Sequence, residues 1–185
     1  YVPPHEFNID FPHLMLRYRA VQFRNGQTPF VNKELTKTAR NGKALGKIAS
    51  IVNWGSNVEN SLPRKLLETT CNVHRDAALP KFHKQTFLAE NKNKPKSVNS
   101  EAPGYGRKAV IYATCFVNYN NPSIGTSAVD VLNTNGVETE VVYPSCCGMP
   151  QLEQGNIAEV ARAAEKVAKE LRSWVDDGND IIALT

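Results

Sequence analysis

The sequence predicts an α/β fold, in which a parallel β-α-β-α-β unit is preceded by a helical N-terminal segment. Three short apolar runs after residue 105 alternate with two helical patterns, as in a parallel sheet whose strands are joined by helices. The first 90 residues show only interrupted helical periodicity, and a polar stretch with two prolines follows them. We therefore expect a basic helical segment over residues 1–90, a linker over 91–106 and an α/β unit over 107–185.

In the first segment, caps and apolar faces predict three helices. Asp10 can cap a helix over residues 11–24, which has a proline in its first turn and ends before an Asn-Gly pair. Apolar residues at helical spacing predict a second helix over about residues 44–54. A third, short helix begins at Ser61. These helices are weakly apolar, so we expect them to pack against other parts of the protein.

In the second half, strands and helices alternate. The continuous apolar run 109–113 predicts a strand that is covered on both faces. A helix begins near Pro122 and ends at an Asn-Gly pair, which is a good left-handed termination. A second strand follows at 141–143. The clearest element is an amphipathic helix over 157–175, and residues 181–184 form the third predicted strand.

Length and composition exclude several classes of protein. The 185 residues are 41% hydrophobic and 22% charged, which is a globular composition. No run of about 18 apolar residues exists to span a bilayer, so we expect a soluble polypeptide. The first residues carry neither an initiator Met nor a signal sequence, which indicates that the chain is part of something larger.

The formal charge of +4 hides an asymmetry along the chain. Up to residue 104 there are 16 Lys and Arg against 8 Asp and Glu, and from residue 105 there are 6 against 10. Two segments with different roles are therefore expected. The basic first helix could contact an anionic membrane surface or a partner subunit, although docking onto its own protein is the simpler interpretation.

Three of the four cysteines follow predicted strands. Cys115 comes just after the first strand, and Cys146 and Cys147 come just after the second. Because the carboxyl ends of neighbouring parallel strands share a crevice, the three thiols are expected to converge there. Gly148 and Pro150 suit a tight turn that aims both adjacent cysteines inward. Thiolates are preferred ligands of iron–sulfur clusters and of zinc.

The residues alone leave other interpretations of the cysteines open. Each could be a small buried apolar side chain, which is our interpretation of Cys71, because it has no partner nearby in the sequence. A redox-active dithiol is a second possibility for the others, weakened by the absence of a C-x-x-C motif. Four cysteines are too few for a disulfide-scaffolded secreted fold, which favours thiol or metal chemistry in a reducing compartment.

Two motifs carry a resemblance to a known family. Residues 112–120, Tyr-Ala-Thr-Cys-Phe-Val-Asn-Tyr-Asn, and residues 146–150, Cys-Cys-Gly-Met-Pro, resemble the CCG (cysteine-rich) domain family of iron–sulfur oxidoreductases. That family includes the C-subunit type of anaerobic glycerol-3-phosphate dehydrogenase and the B-subunit type of heterodisulfide reductase. The opening residues 1–14 are most similar to the former type. The resemblance covers essentially the whole chain.

The resemblance implies a site of five residues. Cys115, Cys146 and Cys147 are the cluster ligands, which are zinc ligands in some relatives. Gly148 and Pro150 form the turn that supports them. Members of the family carry a further cysteine motif soon after the third strand, and this chain stops at Thr185. We therefore expect a fragment with a truncated first repeat, which binds zinc or no metal by itself, whereas the intact parent protein binds an iron–sulfur cluster.

The function implied by the resemblance is that of an iron–sulfur electron-transfer module in an oxidoreductase complex, with no catalysis expected from the isolated chain. The implied partners are a flavoprotein dehydrogenase subunit or a ferredoxin-type domain, and a quinone or membrane surface. The implied location is cytoplasmic or peripheral on the inner face of the cell membrane. No nucleic-acid partner is expected, because the Lys-rich stretch 92–96 lacks interleaved aromatics. The competing hypothesis is a zinc-binding or metal-free structural domain that serves assembly.

Overall fold

The structure is a computed structural model that describes residues 10–94 and 97–184. Its helices are α1 (Phe11–Arg24), α2 (Phe30–Leu35), α3 (Thr38–Leu45), α4 (Ala49–Ser56), α5 (Ser61–Cys71), α6 (Phe87–Asn93), α7 (Cys115–Tyr119), α8 (Pro122–Thr134), α9 (Met149–Glu153) and α10 (Ile157–Asp176). Its strands are β1 (Lys108–Tyr112), β2 (Glu138–Val142) and β3 (Asp180–Ala183). The first nine residues of the predicted helical segment, residues 95 and 96 of the predicted linker, and Thr185 lie outside the described residues.

The three strands form one parallel sheet in the order β2-β1-β3, so that β1 is central. Along the β1–β2 pair, Lys108 lies opposite Glu138 and Tyr112 lies opposite Val142. From Ala109 onward every residue of β1 is buried. A strand with neighbours on both edges and cover on both faces has no position for a polar side chain, which explains the continuous apolar run. The predicted α/β class, with helices at the N-terminus, is confirmed.

The core lies on β1 and on the helices that cover it, and one aromatic side chain enters it from the upstream segment. Phe87 of α6 is fully buried and packs in a cluster with Ile111, Val117 and Val129. Gly125 of α8 permits this close approach, because a Cβ added there would stand 2.6 Å from the Phe87 ring. An upstream helix therefore shares the core of the sheet unit.

The polar stretch after α6 runs along the end of α8. The backbone N–H of Asn99 donates to the carbonyl of Asn133 at 2.9 Å, and the N–H of Gly104 donates to the carbonyl of Asn135 at 3.1 Å. These bonds attach residues 99–104 to the sheet unit. The division of the chain at residues 91–106 stays a prediction.

The helix ends that the sequence marked most clearly are confirmed. The Asp10 side chain accepts a hydrogen bond from the N–H of His13 at the start of α1. Asn135 ends α8, and Gly136 takes a left-handed conformation with φ of +86°. The amphipathic helix predicted over 157–175 is α10. None of the helices in residues 10–94 and 97–184 combines the length and apolar character that crossing a bilayer requires.

The single helix predicted over residues 44–54 is wrong, because the chain forms α3, a 3-10 turn over Gly46–Ile48 and then α4. Gly46 is buried in that turn, and a Cβ added to it would stand 2.9 Å from the carbonyl oxygen of His83. The chain therefore bends at a contact with a distant loop. The helices α2, α6, α7 and α9 were not predicted, since five to seven residues are too few to show a helical period.

Candidate thiolate site

Two loops at the carboxyl end of the sheet carry the predicted cysteines. β1 ends at Tyr112, and Cys115 begins α7, whose start is capped by the Thr114 hydroxyl. Cys146 lies on the loop that follows β2. The hydroxyl of Tyr112 donates a hydrogen bond to the carbonyl of Ser145 at 2.8 Å. The last side chain of the central strand therefore ties one cysteine loop to the other.

Cys115 and Cys146 face each other across this edge of the sheet. Their sulfur atoms lie 3.7 Å apart, within the hydrogen-bonding range of sulfur. A disulfide needs a separation of about 2.05 Å, so the pair is a dithiol. Cys146 is 7% exposed and Cys115 is half-buried. The expected convergence at the strand ends is therefore found for these two thiols.

The predicted turn after the cysteine pair is present. Gly148 has φ of +90°, in the left-handed region that favours glycine, and it precedes α9, which carries Pro150 in its first turn. Cys146 points inward, whereas Cys147 is exposed. The expectation that the turn aims both cysteines inward is wrong for Cys147, because consecutive side chains on a non-helical backbone diverge.

A hydroxyl from the upstream helices completes the immediate surroundings of the thiol pair. Thr38, the first residue of α3, donates a hydrogen bond from Oγ1 to the Cys115 sulfur at 3.3 Å. The same oxygen lies 3.4 Å from the Cys146 sulfur. Sequence reasoning missed this residue, since nothing in the sequence links position 38 to cysteines more than 75 positions away.

The contact between the two sulfurs shifts the pKa values of the two thiols in opposite directions. The hydrogen bond between them is the main cause, and it lowers the pKa of Cys146 while it raises the pKa of Cys115. Thr38, the backbone N–H of Gly148 and the thiol of Cys147 lower the pKa of Cys146 further. These directions favour the thiolate form of Cys146 and the protonated form of Cys115.

A tyrosine beside the thiols leaves a buried oxygen without a partner. The Tyr143 hydroxyl oxygen is buried and has no hydrogen-bond partner in the part of the chain that the structure describes. Its ring packs edge-on against Tyr119, with 5.7 Å between ring centroids. Burial raises the pKa of Tyr143, and electrostatic interactions with the neighbouring thiols raise it further. A polar atom of this kind is normally satisfied by water or by a bound group.

A cavity of about 220 Å³ opens beside Cys146. Among its lining residues are Lys37, Thr38, Arg40 and Gln151. Both cations pair with Glu34, at 2.8 Å for Arg40, so their charges are already engaged. The cavity gives an ion or a small molecule a route to the sulfur.

The spacing of the pair fits two ligand positions on one metal. Two sulfurs bound at about 2.3 Å to a tetrahedral metal lie about 3.8 Å apart, which matches the observed separation. Within residues 10–94 and 97–184, no group of three His, Cys, Asp or Glu side chains is arranged to hold a metal ion. Cys147 is nevertheless close enough to shift the pKa values of both other thiols. The donor set is thus two assembled thiols and a third within electrostatic reach.

Cys71 lies apart from this group, at the end of α5. The Thr70 hydroxyl donates to its sulfur at 3.6 Å, and the side chain is partly exposed.

The basic first helix docks onto the same protein, since the Arg19 guanidinium donates to the carbonyl of Glu153 at 2.9 Å. That bond joins α1 to the helix that follows the cysteine pair.

Comparison with known families agrees with this geometry. Residues 109–185 match the family model described as a cysteine-rich domain, CCG. This part of the chain is similar to CCG cysteine-rich domains. The match begins in β1 and includes Cys115, Cys146 and Cys147, so all three cysteines at the strand ends lie inside it. The resemblance stated from the sequence motifs is confirmed.

Two kinds of curated protein are similar to the chain. It is 27% identical over 145 residues to the C-subunit of the anaerobic glycerol-3-phosphate dehydrogenase of Escherichia coli, strains K12 and O157:H7. That match covers 78% of this chain and 35% of the relative. It is 34% identical over 65 residues to the lactate utilization protein A of Bacillus pumilus (strain SAFR-032), covering 34% of this chain and 26% of the relative.

The similarity to the dehydrogenase subunit therefore extends well beyond residues 109–185, which match the CCG model, into the upstream helices. The chain spans about a third of the length of the dehydrogenase subunits that it matches. No solved structure gives a significant match to the chain.

Proposed function

We propose that the CCG domain serves as an iron–sulfur electron-transfer module of an oxidoreductase complex, in the manner of the C-subunit of glycerol-3-phosphate dehydrogenase. The observation that carries the proposal is the pairing of Cys115 and Cys146 at 3.7 Å, at the carboxyl ends of two adjacent strands within the CCG match. The similarity to one subunit of a dehydrogenase supports the oxidoreductase context.

The three cysteines of the CCG match would hold the cluster. Cys115 and Cys146 are already assembled, and Cys147 follows directly in the chain. Gly148 and Pro150 shape the turn that places the adjacent pair. When bound, an iron–sulfur cluster takes up one electron from a reduced donor and gives it to an oxidised acceptor.

The protein's own groups prepare the thiols for this task. Cys146 is buried apart from the cavity beside it, and its lowered pKa favours the thiolate that binds metal. The Tyr112 bond to Ser145 fixes the distance between the two loops. A preformed pair of this kind reduces the ordering that binding would otherwise require.

The partners in this proposal are a flavoprotein dehydrogenase subunit or a ferredoxin-type domain as donor, and a quinone or membrane surface on the acceptor side. The similarity to a protein named as one subunit of a dehydrogenase supports a multi-subunit setting. The location proposed for the complex is the cytoplasm or the inner face of the cell membrane.

For the 185-residue chain by itself we propose zinc or no metal. Zinc tolerates few protein ligands completed by water, whereas an incompletely ligated iron–sulfur cluster is exposed to loss and oxidation. Metal analysis of the anaerobically purified chain should find zinc or no metal. About four irons per chain would show this part of the proposal to be wrong.

The test of the cluster ligands uses the native full-length protein, purified and reconstituted with iron and sulfide under anaerobic conditions. Cys146→Ser should remove most of the cluster absorption, because a buried ligand is lost. Cys71→Ser is the matched control and should leave the spectrum unchanged, since Cys71 lies apart on α5. A Cys146→Ser protein that keeps its cluster spectrum and its electron transfer would overturn the proposal.

A further inference from the structure

A side chain from outside the CCG match touches both sulfurs of the thiol pair. The Thr38 hydroxyl lies 3.3 Å from the Cys115 sulfur and 3.4 Å from the Cys146 sulfur. It belongs to α3, whereas the family match begins at residue 109. Its approach to the sulfurs is therefore a product of how the upstream segment packs on the domain.

A matched pair of contacts sets α3 against α7. Thr38 meets Cys115, and one turn later Gly42 meets Tyr119. A Cβ added to Gly42 would stand 2.4 Å from the Tyr119 ring, so only glycine allows the two helices to lie this close. The close contact between Gly42 and the Tyr119 ring thus determines how near Thr38 comes to the thiols.

The loop before α3 is held from the other side by the helix that follows the cysteine pair. The Gln151 amide of α9 donates to the carbonyl of Thr36 at 2.7 Å. Thr38 is two residues further along. Both cysteine loops therefore contribute to its placement, one through α7 and one through α9.

A hydroxyl at this position can form a hydrogen bond to a sulfur that binds a metal. Its hydrogen can be donated to a thiolate, which fixes the orientation of the ligand and tunes its basicity. We propose that Thr38 is a positioning residue, whose hydroxyl contacts both sulfurs and holds Cys115 and Cys146 at the spacing of two ligands of one metal or cluster. This inference rests on the proposed function, because it presupposes that the two cysteines are ligands.

The test measures Co²⁺ binding to the full chain by the thiolate-to-cobalt absorption, at one fixed pH and under anaerobic conditions. Thr38→Val keeps the shape of the side chain and removes the hydroxyl, and it should weaken Co²⁺ affinity roughly 10- to 100-fold. Thr38→Ser restores the hydroxyl and should stay within about threefold of the unmodified chain. Thr70→Val is the matched control, since it removes a hydroxyl beside Cys71.

The outcomes separate the inference from the function on which it rests. Wild-type affinity in a Thr38→Val chain with an unchanged melting temperature overturns the role of Thr38 and leaves the ligands in place. Equal losses in the Ser and Val variants overturn it as well. A folded unmodified chain without thiolate-to-cobalt absorption overturns the role of Thr38 in this chain, whereas the cluster ligands of the full-length protein are tested separately by Cys146→Ser. If Thr38→Val does not fold, Thr38→Ala is judged by the same affinity criterion.

Discussion

The sheet unit and the upstream helices are stabilised by different physical means. Among the described residues, eight of the nine buried core hydrophobics come from the sheet unit, and Phe87 is the one from upstream. Large apolar side chains of the upstream helices remain exposed, for instance Ile51 at 68% and Leu62 at 78%. Apolar burial therefore stabilises the sheet unit, and it contributes little to the upstream helices.

Polar clamps and close glycine contacts hold the upstream helices instead. Arg64 is 1% exposed, and its guanidinium donates to four backbone carbonyls, those of Ser56, His74, Arg75 and Ala77. Asn53 forms a second clamp, because its side chain both donates to and accepts from the backbone of Phe82. Such clamps specify a conformation without building a core.

The two regions therefore contribute different things to the site. The sheet unit folds around apolar residues and presents two thiols, whereas the upstream helices depend on that unit for a surface and bring a hydroxyl to the thiols. Breaking either kind of support should therefore have distinct consequences.

The largest effect is expected from the core of the sheet unit. Ile111→Ala removes a fully buried side chain from the central strand and should lower the free energy of unfolding by about 2–5 kcal/mol. Urea denaturation of the full chain measures it. Ile51→Ala is the matched control in the exposed set and should change stability by less than about 0.5 kcal/mol. Similar losses at both positions would contradict the contrast between the two regions.

A smaller effect is expected from the main polar clamp. Arg64→Met keeps the length of the side chain and leaves several carbonyls without their donor, which should cost about 1–3 kcal/mol. The loss should be local, so the loop of residues 72–86 should be cleaved faster by protease. Lys65→Met, at the exposed neighbouring position, serves as the control. If both variants are cleaved at the same rate, the clamp does not hold this loop.

The smallest effect on stability is expected at the helix contact beside the thiols. Gly42→Ala places a Cβ against the Tyr119 ring, and overpacking costs about 1–3 kcal/mol, from which a gain of about 0.5–1 kcal/mol in helix propensity is subtracted. The expected net loss in the free energy of unfolding is about 1 kcal/mol. Gly55→Ala, in α4, meets nothing within 4 Å and should be neutral or stabilising. Stabilisation by both substitutions would show that α3 and α7 are not closely packed.

Local signals in the sequence were sufficient for the strands and the two long helices of the sheet unit, but not for its short helices α7 and α9. The apolar run at β1, the Asn-Gly end of α8 and the long stripe of α10 each depend on neighbouring residues, and each prediction is confirmed. The single helix predicted over 44–54 is interrupted at Gly46, where a Cβ would stand 2.9 Å from the carbonyl oxygen of the distant His83. Local periodicity carries no information about such a contact.

The candidate site was likewise predictable from the sequence only in part. The positions of Cys115 and Cys146 after adjacent strands predicted their meeting, because parallel strands end at a common edge. The outward direction of Cys147 and the arrival of Thr38 were not predictable in this way. Both depend on dihedral angles and helix packing that no spacing rule specifies.

By itself the sequence determined the fold class, the strands and the meeting of Cys115 with Cys146, although it also predicted that Cys147 joins them. Only the tertiary structure decided which hydroxyl reaches those thiols. That outcome depends on Gly42 against Tyr119 and on Gln151 bonded to the Thr36 carbonyl, contacts between residues more than 70 positions apart. Contacts of this kind arise only after the chain has packed.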